Sequence, residues 1–169
     1  KAMKRQITKG ETIDLIKQIR NILPEIALRT TMLVGFPGET EEDFKELCDF
    51  VKEMEFERLG VFMYSHEENT IAHDFEDDVP GEIKEERAAI LMEIQQEIST
   101  KKNDEKIGKT FKVLIDRKEG GFFVGRTEFD SPEVDNEVLI DAKKHFCRVG
   151  DFVEATIDDA TDFDLYASL

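Results

Sequence analysis

RTTMLVGFPGET, residues Arg29 to Thr40, joins a β-type run to a glycine turn and then to a capped helix. Thr30 to Val34 are β-branched or apolar, a run too short and too uninterrupted for an amphipathic surface helix. It reads as a strand buried on both faces. Gly35 and Gly38 open backbone angles closed to other residues and let another molecule approach the main chain, while Pro37 stiffens the turn. Thr40 followed by Asp43 has the spacing of an N-terminal capping pair. Strand, glycine turn and helix in that order make an α/β unit.

The unit repeats outward in both directions. Phe44, Leu47, Cys48, Val51 and Met54 recur at helical spacing, and RLGVFMYS, residues 58–65, is again a strand running into a polar loop. Tyr64 and Ser65 therefore fall at the same end as the glycine turn. In parallel α/β folds ligands bind outside the carboxyl ends of the strands, so the two ends would frame a pocket. Upstream, Thr8 to Glu11 fits a capping box, with Ile13, Ile16, Ile19 or Arg20, and Leu23 at helical spacing before Pro24. Downstream, HEENTIAHDFEDDV, residues 66–79, has no regular period and reads as a loop over the pocket mouth. Pro80 suits the first turn of a long helix with Ile83, Ile90, Leu91, Ile94 and Ile98 as its buried stripe.

Past Gly108 the texture changes to short alternating runs at 111–116, 122–127, 137–140, 152–157 and 163–167. Five short strands in this span predict a small β-barrel, with Gly120-Gly121 as a hairpin turn and Asp130 to Glu133 as a longer loop. The sequence thus divides into an α/β part, 1–104, and an all-β part, 105–169, a small five-stranded barrel. No flexible linker separates them, and the two are expected to pack together.

The 169 residues carry a formal charge of −16, with both parts acidic. Binding to nucleic acid depends on Lys and Arg displacing counterions from phosphates, so this balance disfavours tRNA and favours a basic protein partner. A plain alternative is that the charge only keeps the surface soluble. No apolar run approaches the ~20 residues that span a bilayer, which predicts no membrane partner and a cytoplasmic protein. Cys48 and Cys147 lie far apart in apolar contexts and read as buried thiols, not as a disulfide framework.

RTTMLVGFPGETEEDF, RLGVFMYSHEENTIA and the ERxxxLMxxQQxIS pattern at Glu86 to Ser99 together resemble the last third of the radical S-adenosylmethionine barrel of the methylthiotransferase family. GRTEFDSPEVDNEVLI, residues 125–140, resembles the TRAM domain of the same enzymes. The resemblance covers essentially the whole chain, and it implies that 1–104 is the carboxyl-terminal part of the radical S-adenosylmethionine barrel, a partial (β/α) barrel, and that 105–169 is a TRAM domain, an all-β five-stranded barrel of OB-like type. It implies a parent enzyme that binds S-adenosylmethionine and iron-sulfur clusters, and within the family it lies nearest the branch that adds a β-methylthio group to an aspartate of the small-subunit ribosomal protein numbered twelve. Such an enzyme needs a CxxxCxxC motif, because soft thiolates hold iron in these clusters. Two isolated cysteines cannot supply it. The chain is therefore expected to be a carboxyl-terminal piece, inactive alone, with its cluster bound by an upstream part.

On this resemblance the cofactor-binding residues are Gly35, Phe36, Pro37, Gly38, Glu39, Phe62, Tyr64 and Ser65. Glu39 is a candidate ribose ligand, but it equally suits the positive end of the helix that follows. The acids Glu128, Asp130, Glu133 and Asp135, with Asp116, Glu119 and Glu137 around them, are the candidates for meeting a basic ribosomal protein. No catalytic residue and no metal ligand is assigned to this chain. GFPG lacks the Gly-Lys-Ser/Thr of a phosphate loop and is not GxGxxG. His66, His73 and His145 lack metal-ligand spacing. Two other readings stay open: a tRNA-adenosine methylthiotransferase of the same family, and a non-catalytic protein-binding module.

Overall fold

Two capping boxes start the first two helices of the structure, a computed structural model that describes residues 7–68, 70–132 and 134–169. The Thr8 hydroxyl accepts the Glu11 N–H at 3.3 Å and the Glu11 carboxylate accepts the Thr8 N–H at 2.8 Å, opening α1 (Lys9–Ile22). Thr40 and Asp43 repeat the exchange at 3.1 and 3.0 Å, opening α2 (Glu41–Met54). Each box satisfies backbone donors that a helix start leaves without partners.

Between and after these helices run β1 (Arg29–Val34) and β2 (Arg58–Met63), parallel and in register from Arg29↔Arg58 to Val34↔Met63. The expectation that β1 is buried on both faces is corrected. Only Val34 is fully buried, while Arg29 and Thr31 are exposed, because β1 pairs with a single strand among the described residues. The core lies under the other side, where Val34, Phe44, Val51, Met54, Phe56 and Leu91 are each at most 7% exposed. Arg20 on α1 donates to the Met54 and Glu55 carbonyls and meets Glu57, whose carboxylate also accepts the Leu28 N–H at 2.7 Å. One arginine thereby ties the end of α1 to the end of α2 and the entry to β1.

The segment after β2 carries one short 3₁₀ turn, Ile71–Asp74, before α3 (Gly81–Asp104). The chain divides inside α3 into two compact units, one up to Gln95 and the other from Gln96 to Leu169.

In the second unit β3 (Thr110–Glu119), β4 (Phe122–Arg126), β5 (Glu137–Asp141), β6 (Phe152–Ala160) and β7 (Asp164–Ser168) close into a barrel in the order β3-β4-β5-β7-β6. Only β5 and β7 pair in parallel. Val113, Ile115, Val138, Ile140, Ala155 and Leu165 are completely buried inside. β3 and β6 run beyond the ends the sequence pattern gives, Asp116 and Ile157. Register shifts between Ile115 and Arg117 and between Ile157 and Asp159 explain it. A bulge moves the following residues to the other face, so alternation lapses where the strand continues.

The last turns of α3 belong to this unit through Asn103, which is fully buried. Its amide donates to the Thr161 carbonyl at 2.9 Å, and its oxygen accepts from Asn136 at 2.9 Å and Lys106 at 3.1 Å. Asn103→Leu keeps much of the volume and strands these partners, so it is expected to cost about 2–4 kcal/mol, read as a lowered urea midpoint.

Candidate functional site at the strand ends

The parallel register places Gly35 and Tyr64 side by side as the first residues beyond β1 and β2. The Tyr64 N–H continues the ladder onto the Val34 carbonyl at 2.8 Å. Gly35 and Gly38 have φ of +72° and +81°, the left-handed region that disfavours side chains. Phe36 turns back onto Tyr64, ring centroids 5.4 Å apart and edge to face, and meets Phe75 at 6.2 Å. The Tyr64 hydroxyl donates to the Ala72 carbonyl at 3.1 Å, and the His66 and His73 rings lie 4.4 Å apart beside it. An aromatic wall thus stands next to a glycine turn at the carboxyl end of two parallel strands.

The polar groups of the turn are largely engaged within the chain. The Glu39 carboxylate accepts the Gly35 N–H at 3.0 Å and the Arg87 guanidinium at 2.7 Å, and Arg87 also bonds Glu41. Burial works against the Arg87 charge, but the bonds to Glu41 and Glu39 outweigh it and raise its pKa. The Glu39 side chain is only 12% exposed. Asp78 accepts the Gly38 N–H at 2.8 Å. Of the eight candidate residues, Gly35, Phe36, Pro37, Gly38, Glu39 and Tyr64 come together. The Ser65 hydroxyl donates to Glu67 at 2.7 Å. Phe62 instead lines a separate concavity of about 620 Å³ with Ile16, Leu28, Met32, Phe50 and Phe56.

Lys84 and Arg87 were not singled out by the sequence reading, although Arg87 lies within the ERxxxLM pattern, and the adjacent acids Asp77 and Asp78, which by spacing read as a solvated charge run, instead bond Lys84 and the Gly38 N–H. The available signal was a lysine and an arginine three residues apart on the face of α3 that also carries buried Leu91. Charges at buried helical positions need partners.

On the barrel the candidate acids separate. Glu128 is exposed, Asp135 is half-buried and accepts the Ser131 N–H at 2.7 Å, and Glu133 lies outside the described residues. Asp130 is corrected as a surface group: it is 6% exposed, and the Thr127 hydroxyl donates to its carboxylate within the loop. Asp116 pairs with Arg126 at 3.0 Å, and Arg117 bridges Glu119 and Glu137 at 2.7 and 2.8 Å. Hydrogen bonds to Glu137 and Glu119 push the Arg117 pKa well above its ordinary value. Acids on β6 that were not proposed, Glu154, Asp158 and Asp159, are exposed.

The cysteines are both buried, and burial raises both thiol pKa values. Among the described residues no group of three His, Cys, Asp or Glu side chains could hold a metal ion, and no helix is long and apolar enough to cross a membrane.

Residues 107–169 match the TRAM domain family. A Cytophaga hutchinsonii protein named ribosomal protein uS12 methylthiotransferase RimO is 57% identical over 169 residues, all of this chain and 39% of the relative. Proteins of the same name from Flavobacterium psychrophilum and Bacteroides thetaiotaomicron are 58% and 52% identical, matching 98% and 100% of this chain and 38% and 39% of their own lengths. The chain spans about two fifths of the curated relatives it matches. Along its whole length this is a RimO-like sequence, with a TRAM domain at residues 107–169.

Proposed function

We propose that the chain is part of a radical S-adenosylmethionine methylthiotransferase that adds a β-methylthio group to an aspartate of the small-subunit ribosomal protein uS12 in the cytoplasm. The observation that carries the reading is the similarity of essentially the whole chain, at 57% and 58% identity, to proteins named ribosomal protein uS12 methylthiotransferase. The α/β unit would be one part of the larger barrel that encloses the cofactor.

The residues at the strand ends fit the nucleoside side of S-adenosylmethionine. A Cβ built on Gly38 meets nothing within 4 Å, so the turn is open there, and Phe36 of the same turn packs against the Tyr64 and Phe75 rings. An adenine would stack or pack edge-on against such a wall. When bound, S-adenosylmethionine supplies the adenosyl radical source and the methyl group, and the protein's part is position and exclusion of water. Glu39 contributes by holding the Gly35 N–H, with Arg87 behind it, which keeps the turn open without a ligand present. An iron-sulfur cluster is not fitted by the residues of this chain, whose two thiols are buried and remote from one another in sequence.

The terminal barrel has eight basic and fourteen acidic residues from Gly108 to Leu169, which suits a Lys/Arg-rich ribosomal protein and repels phosphate. Stopped-flow association of the full-length parent with purified uS12 tests this. Glu128→Lys with Glu154→Lys is expected to slow association several-fold at low salt, with the difference shrinking above ~0.1 M, where the Debye length is ~10 Å. Faster capture of tRNA than of uS12 by the unmodified protein would sink the acidic-surface reading.

A further inference from the structure

Residues 70–79 touch the glycine turn and its neighbours at successive points. The Ala72 carbonyl accepts the Tyr64 hydroxyl at 3.1 Å, and the Phe75 ring meets Phe36 at 6.2 Å. Asp77 and Asp78, adjacent in sequence, then engage different targets. Asp78 accepts the Gly38 N–H at 2.8 Å, while both Asp77 oxygens accept the Lys84 ammonium at 2.7 Å.

Of these contacts, the one made by Asp77 reaches Lys84. Its side chain is only 8% exposed, and its ammonium lies 5.1 Å from the centre of the Tyr64 ring. The stem runs so close to Gly35 that a Cβ there would sit 2.3 Å from Lys84 Cγ. A lysine provides what the position needs: an apolar stem long enough to cover Gly35 and Tyr64, with a charge at its end. That charge, nearly out of water, depends on Asp77, because an ammonium buried without a partner is strongly disfavoured. The Asp78 bond to Gly38, by contrast, is exposed and easily exchanged for water. The link through Lys84 is therefore firm, and the link at Gly38 is the one that opens.

We propose that residues 70–79 are a strap across the glycine turn, that Lys84 is the positioning residue that anchors it, and that the anchored strap forms the outer wall of the S-adenosylmethionine site. The last clause rests on the reading that the turn faces this cofactor. With the anchor in place Phe75 backs Phe36, and Asp78 can release the Gly38 N–H without the strap leaving. Without it, the strap departs as a whole and the aromatic wall loses its backing.

The test uses the full-length parent carrying Lys84→Met, which keeps the stem and removes the charge, and Asp77→Asn, which breaks the same link from its more exposed side. Hydrogen exchange in the peptide that contains Gly38 is expected to quicken about tenfold in both, with global unfolding little changed. The dissociation constant for S-adenosylmethionine should rise about tenfold. Lys84→Arg should restore most of the affinity. Unaltered exchange at Gly38 in both variants would overturn the strap. Quickened exchange with unaltered affinity would overturn the wall, and Gly38→Val measured alongside separates the causes. Weakened cofactor binding in Gly38→Val then leaves the site reading standing and faults the wall alone; no effect there as well faults the site reading.

Discussion

Gly125→Ala is expected to lower the stability of the barrel by about 3 kcal/mol or more, a large share of the ~5–15 kcal/mol that keeps a domain folded. Gly125 is buried in β4, paired with Ile115 on one side and Val138 on the other. A Cβ there would lie 2.5 Å from the Leu114 carbonyl oxygen and 2.7 Å from Val113 Cγ1. Neither neighbour can give way. The carbonyl belongs to the β3 backbone, and Val113 is completely buried in the barrel core. Gly121→Ala makes the control, because a Cβ at that position meets nothing within 4 Å and only the φ of +90° resists it. That change should cost about 1–2 kcal/mol. Urea unfolding of the two variants followed by circular dichroism checks the contrast, and equal losses would show that close strand approach is not what selects glycine at 125.

Gly38→Val is expected to weaken S-adenosylmethionine binding to the full-length parent about a hundredfold while costing only about 1–2 kcal/mol of stability. The φ of +81° makes any side chain costly, and a β-branched one most of all. Within the chain, however, the new Cβ has open space around it, so the bulk of the valine is left to meet whatever approaches the turn from outside. Calorimetric titration beside thermal unfolding separates the two effects. Unchanged affinity in a folded variant would remove Gly35 to Glu39 from the cofactor site.

Much of the architecture could be read from the sequence because local chemistry and tertiary placement agree. Thr8 with Glu11 and Thr40 with Asp43 specify helix starts whatever surrounds them, and the apolar spacing of Phe44, Cys48, Val51 and Met54 matches the buried face of α2. The barrel strands were visible for as long as they alternated. They became illegible at the bulges after Ile115 and Ile157, where the face changes and no residue type announces it.

The site was legible in its backbone and much less so in its charges. Two glycines flanking Phe36 and Pro37 give away the turn, and the parallel register of β1 and β2 brings Tyr64 to it. Lys84 and Arg87, in contrast, sit in a helix whose sequence is rich in Lys, Arg and Glu. Their spacing with Leu91 marks the buried face of the helix, but the carboxylates they turn to, Asp77 and Glu39, are set by the fold. The same limit applies to Asp130, which shares its composition with a solvated acidic loop yet is buried under a bond from Thr127. Whether a carboxylate faces water depends on a three-dimensional neighbour that spacing does not encode.

The most direct measurement is the intact mass, and then the fragment spectrum, of uS12 purified from cells that lack the parent gene and from the same cells with it restored. The account predicts that restoration adds the mass of one methylthio group in place of hydrogen, that the fragments place it on an aspartate, and that Gly38→Val in the restored gene abolishes or strongly reduces it. An identical uS12 mass with and without the gene, accompanied by loss of a methylthio group from tRNA adenosine in its absence, would contradict it.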